Sequence, residues 1–184
     1  IFQQGSEKEY LDLAGKLPPS PFFFHTGVDS NNVQILSCIP EKLHNLLGKR
    51  FSELSFNHGS SSFLSYLFKE RFNLIGQEIW INLFGEHAYI AAFTDQELSV
   101  FNRFEVETKE DVLKYALILM ETLQHDRNHA RVTLFGASEK SGITEAWGKS
   151  YFSNFRILRP HTNQNYGPGL SQEKAPTIFE SFWN

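Results

Sequence analysis

Two histidines four residues apart with a carboxylate between them, His125, Asp126 and His129, are the closest this 184-residue sequence comes to a metal motif. On a helix, ring nitrogens at i and i+4 can converge on one cation, as they do in zinc sites. Here the pair follows the natural end of a helix and has no third ligand at a fixed spacing, so it reads as a polar loop and no metal is expected. His58 followed by Gly59 and the serines Ser60, Ser61 and Ser62 offers a nucleophile beside a base. A serine capping the start of a helix accounts for the same residues with less. Glu107, Glu110 and Asp111 could serve two-carboxylate metal chemistry, but that chemistry needs acids on the sheet itself, aimed at a shared cation. They read instead as a solvated helix start, and Glu78, Glu97 and Glu105 fall only at strand ends. Gly85 and Gly136 close the inventory. A glycine at a strand end lets backbone amides approach a phosphate, although a hairpin turn explains Gly85 and a strand-to-loop turn explains Gly136.

The elements that must position these residues follow from periodicity. Glu7 to Ala14 is a short helix ended by Pro18, Pro19 and Pro21. Phe22 to His25 and Val33 to Ile39 are strands flanking the turn residues Asp29 to Asn32. Pro40 suits the first position of a helix bearing Leu43, Leu46 and Leu47. Leu54 to Phe56 reads as a short strand, and Phe63, Tyr66, Leu67 and Phe68 share a face of the next helix. Glu78 to Leu83 and His87 to Phe93 form a hairpin through Gly85-Glu86, and Leu98 to Phe104 adds a third antiparallel strand. Thr108 caps a helix whose Val112, Tyr115, Ala116, Leu119 and Leu123 make one stripe. Arg131 to Phe135 is a strand closed by Gly136, Ile143 to Tyr151 a helix, and Phe155 to Leu158 a parallel strand. Residues 161–174 form a surface loop, and Pro176 starts a last helix carrying Ile178, Phe179, Phe182 and Trp183.

Composition narrows the partners. Charged residues are 21% and the net charge is −4, so the basic excess that a phosphate backbone demands is missing and nucleic acid is not expected. An apolar content of 41% supports one sizeable core or two small ones. The 18 phenylalanines supply much of that burial, with some left to form a contact surface for another protein. The lone Cys38 lies in an apolar run and behaves as a small hydrophobe. No apolar run approaches the ~20 residues that span a bilayer, and no leader is evident, so the cytoplasm is the expected compartment. The chain starts at Ile1 instead of Met, as a fragment lacking an upstream segment would.

Three strands, a long helix, a strand ending in glycine, a helix and a strand resemble the second half of the actin, sugar kinase and heat-shock ATPase superfamily, which shares its half-domain plan with ribonuclease H. The nearest resemblance is to a Bacteroidetes family of unknown function with an actin-like ATPase fold, distantly related to the actin-like assembly proteins of type IV pilus and secretion systems. It is carried by Ile81 to Gly85, by Leu98 to Phe104 with its Asn102-Arg103-Phe104, by Glu110-Asp111 and by Leu134 to Ala137, and covers residues 22–184. The resemblance implies an α/β protein with a mixed sheet, a three-strand meander followed by αβαβ, in two similar halves: 1–73, incomplete at its N-terminus, and 74–184. It also implies ATP and magnesium as ligands, with Asn82, Gly85 and Gly136 at the cofactor positions. In active members a hairpin Asp-x-Gly surrounds the phosphates. Asn82 stands one residue too far from Gly85 for that spacing and lacks the charge that orients magnesium. Gly136-Ala137-Ser138 has one glycine where two are usual. The expectation is therefore a non-catalytic binding or scaffold module with degenerate nucleotide motifs. The alternative is a working ATPase or kinase whose acid lies upstream of residue 1.

Overall fold

A computed structural model describes residues 5–29, 32–136 and 141–158. The chain divides into two compact units, Ile1–Phe68 and Lys69–Asn184.

In the first unit, helix α1 (Glu7–Ala14) precedes an antiparallel hairpin of β1 (Pro21–Val28) and β2 (Val33–Pro40), followed by helix α2 (Glu41–Gly48). Pro40 is not the first helical residue. It pairs with Pro21 at the open end of the hairpin and its ψ of 131° is still extended, so the helix starts one residue later. Leu54 to Phe56 is not a strand. Phe56 is used sideways, its ring 5.9 Å from Phe22, 5.8 Å from Phe24 and 5.5 Å from His44, while His44 stacks on Phe22 at 3.7 Å. The neighbouring Asn57 accepts a hydrogen bond from the Thr26 hydroxyl at 2.8 Å. A segment held by side chains has no need of a ladder partner. Helix α3 (Gly59–Lys69) follows, with Phe63, Leu64 and Leu67 fully buried.

The second unit holds the mixed sheet. Its strands are β3 (Gln77–Phe84), β4 (His87–Thr94), β5 (Glu97–Glu105), β6 (Arg131–Gly136) and β7 (Asn154–Ile157), arranged β5-β4-β3-β6-β7. β3, β4 and β5 are antiparallel neighbours, and β6 and β7 join in parallel. Two-residue turns link the meander. Gly85 takes φ +59° in the first, and Asp95 and Gln96 take +48° and +71° in the second, the positive values that match the right-handed twist of the strands. An extra residue, Ser99, bulges from β5 where Ala92 pairs Val100 and Phe93 pairs Leu98.

β3 is buried from Glu78 to Leu83, as expected of a central strand covered on both faces. Ile79, Ile81 and Leu83 join Ala88, Ile90, Val132 and Leu134 in a core with Val112, Ala116, Leu119 and Met120 of helix α4 (Lys109–Thr122). α4 opens on a capping box: the Asp111 amide donates to Thr108 Oγ1, and the Thr108 amide donates to Asp111 Oδ2. Helix α5 (Glu145–Lys149) is shorter than the expected 143–151 because Thr144 caps it, and Gly148 packs its backbone on the Phe155 ring. The helix expected from Pro176 and the loop 161–174 lie outside the described residues.

Candidate functional site

Parallel α/β sheets bind ligands at the carboxyl ends of their strands, and the register brings the three candidate residues to that end. Asn82 lies opposite Phe135 and Leu83 opposite Gly136 across β3 and β6, while Gly85 follows Phe84 in the turn to His87. Asn82 is 6% exposed, and its Oδ1 is buried with no hydrogen-bond partner among the described residues. It shares a face of the sheet with Trp80, which stacks on Phe135 at 5.4 Å with the Arg156 guanidinium 5.6 Å from its centroid. Arg156 is fixed by donating from Nε to Thr133 Oγ1 at 2.9 Å. His87 Nδ1, at the same end, is also buried without a partner among the described residues.

The two glycines differ in what demands them. A Cβ on Gly85 would meet no heavy atom within 4 Å, so its positive φ alone selects glycine there. Gly136 has φ +106°, and a Cβ on it would collide with the backbone of Leu83. Close strand approach therefore accounts for Gly136 without a ligand.

The remaining candidates are separated. His129 Nδ1 lies 2.7 Å from Asp126 Oδ2 on the surface, whereas His125 turns inward to 7% exposure, so the two rings do not converge. Among the described residues no group of three or more His, Cys, Asp or Glu could hold a metal ion. At the start of α3 the cap is a histidine and not a serine: the Ser60 amide donates to His58 Nδ1 at 3.2 Å, while the Ser61 hydroxyl donates back to His58 O. Ser60 Oγ also lies 2.6 Å from His58 Nδ1, but at 3% exposure it serves the helix end. Glu107, Glu110 and Asp111 stay at the α4 start, and hydrogen bonds from Thr108 hold the Asp111 carboxyl below its usual range.

One site escaped the sequence reading. Glu78 is fully buried and ion-paired with Arg131, whose Nε donates to Glu78 Oε2 at 3.0 Å. Burial raises the Glu78 pKa, opposed by the Arg131 hydrogen bond and by the Ile75 amide donating at 2.9 Å. Arg131 also donates to Asn73 O at 2.7 Å, which ties the chain entering β3 to the sheet. The signal was a charge at the head of each of two apolar strands that a parallel register sets side by side.

The sheet order and its helices define an actin-like fold, and a solved structure supports that assignment. A protein with actin-like ATPase fold and unknown function from Bacteroides thetaiotaomicron VPI-5482 superposes with a TM-score of 0.77 at 16% identity, covering 98% of this chain and 65% of that one. The chain thus spans 65% of the length of that protein. Residues 1–155 match the family described as Protein of unknown function (DUF3822), and the chain belongs to it. No curated protein matches the sequence. Among the described residues no helix is long and apolar enough to cross a membrane.

Proposed function

We propose that the chain is a non-catalytic binding or scaffold module whose nucleotide motifs, at Asn82, Gly85 and Gly136, are degenerate. The observation that carries this reading is Asn82: at the carboxyl end of the central strand stands a buried neutral amide. An amide cannot supply the negative charge that magnesium and its water need for phosphoryl transfer. Glu78, the buried acid of the same strand, is neutralised by Arg131 near the strand's other end. Gly136 is accounted for by packing, which removes the second motif as independent support for a nucleotide. The partner in this reading is another protein, the compartment is the cytoplasm, and residues 1–73 and 74–184 act as the two half-domains.

Calorimetric titration with Mg-ATP, run beside a phosphate-release assay and thermal melts with and without nucleotide, tests the proposal. Melting that ignores added nucleotide and a flat phosphate signal are expected, since a ligand that bound the native state would raise its stability by mass action. Tight Mg-ATP binding that is lost on substituting Gly85, together with hydrolysis, would overturn it and make the chain an ATPase.

A further inference from the structure

His125 occupies the junction between the end of α4 and the β4–β5 turn. α4 closes in a Schellman arrangement: Gln124 adopts φ +57°, its amide donates to Glu121 O at 3.2 Å, and the His125 amide donates to Met120 O at 2.8 Å. That geometry turns the imidazole inward, where it is 7% exposed. Its Nε2 lies 3.1 Å from Thr94 Oγ1, and Ser99 Oγ donates to the same oxygen at 3.0 Å. Thr94 closes the turn opposite Glu97, and Ser99 is the bulged residue beyond it. The ring thus pins a helix end to the turn and bulge of the neighbouring strands, while its Nδ1 is buried with no hydrogen-bond partner among the described residues.

A neutral ring leaves one nitrogen without a partner among the described residues. A protonated ring carries two N–H donors and a charge, with one hydroxyl to receive them. The elements around it contribute Asp95 and Glu97 from the turn region, Glu121 from the last turn of α4, and Asp126 and Arg127 from the chain that follows. Asp126 is committed to His129 and to the Asn128 amide. None of these groups makes an ion pair with His125 among the described residues, and burial alone lowers its pKa.

We propose that His125 is an acid-sensitive latch: protonation expels the imidazole and frees the β4–β5 turn from the end of α4, leaving the rest of the sheet folded. The latch is closed above the ordinary histidine range and opens as pH falls below it. The Asp126 amide, bonded to the Gln77 side chain at 2.8 Å, marks where the opening stops, because that contact does not involve the ring.

The test is amide exchange of the intact chain, corrected for intrinsic rates, at pH about 7.5 and about 5. Exchange at residues 94–99 and 123–125 is expected to rise by about tenfold or more at the lower pH, while β3 and β6 stay protected. His125→Gln keeps a side-chain amide near Thr94 and has no proton to gain, so its exchange at the turn should not respond to pH. An NMR titration of the wild-type ring provides a second readout that needs no variant. A His125 titrating like an exposed histidine, or turn exchange that responds to pH equally in wild type and His125→Gln, overturns the proposal.

Discussion

Glu78 and Arg131 stand at opposed positions of the parallel strands β3 and β6, and the fully buried carboxylate has the guanidinium as its counter-ion. Breaking a buried pair strands one charge in a poorly solvated place, which costs about 3–5 kcal/mol. Arg131→Met should therefore lower unfolding stability by that amount at neutral pH in chemical denaturation, whereas Glu78→Leu combined with Arg131→Met should recover much of it. A single and a double variant that lose the same amount would show that the charge pair is not the cause.

The same pair fixes the sign of a pH effect. Burial raises the Glu78 pKa above its unfolded value. Its contribution to stability is then complete below the usual carboxylate range and is lost as pH rises through the raised value. Denaturant midpoints measured from acid to neutral pH should fall along this limb in wild type. They should fall more steeply in Arg131→Met, where the opposing hydrogen bond is gone, and Glu78→Gln should remove the limb.

Packing sets the cost of the glycines. Gly136→Ala forces a Cβ into the Leu83 backbone at φ +106°, combining strain and strand separation for an expected loss of about 2–4 kcal/mol. Gly85→Ala meets only the left-handed backbone penalty, about 1–2 kcal/mol. Gly148→Ala drives a methyl into the Phe155 ring and should cost about 1–3 kcal/mol as overpacking. Melting of the three variants in parallel ranks them Gly136, Gly148, Gly85. Equal losses at Gly85 and Gly136 would argue against close strand approach at Gly136.

How far the sequence revealed the fold depended on whether the signal was local. The meander, α4 and the parallel return were legible because Gly85-Glu86, the Thr108 cap and the apolar stripe of α4 each act within a few residues. Leu54 to Phe56 was misread because an apolar triplet looks the same whether it enters a ladder or, like Phe56, fills a gap between Phe22, Phe24 and His44. Of the candidate site, Asn82, Gly85 and Gly136 were legible as residues, but the reason for Gly136 required the register with Leu83. Glu78 with Arg131, and His125 with Thr94, are 53 and 31 residues apart in sequence. Such pairs become visible only once strands have been paired.

The capping box of α4 gives an acid-side prediction of opposite sign. Thr108 hydrogen bonds hold the Asp111 pKa below its unfolded value. Its contribution is present above the usual carboxylate range and disappears as pH falls through the lowered value. Thr108→Ala should cost about 1 kcal/mol, and Asp111→Asn should flatten that acid limb in the same titration. An unchanged acid limb in Asp111→Asn would assign it to Glu7, Asp126 or Glu145, whose pKa values are also lowered.

Asn82 separates a ligand site from a packing site. Its Oδ1 is buried without a hydrogen bond among the described residues, so with respect to them the folded state bears the desolvation cost of an acceptor with no compensating donor. If the module has no use for a nucleotide there, Asn82→Leu removes that cost at similar volume, and stability should hold or rise. Asn82→Asp instead introduces a buried carboxyl with no described counter-ion, which should lower stability at neutral pH and recover as the acid protonates. Added Mg-ATP should leave both melting temperatures unchanged. A rise with Mg-ATP in Asn82→Asp, absent from Asn82→Leu, would mean that the end of β3 still forms a metal-nucleotide cradle and that the amide is the one element that silences it.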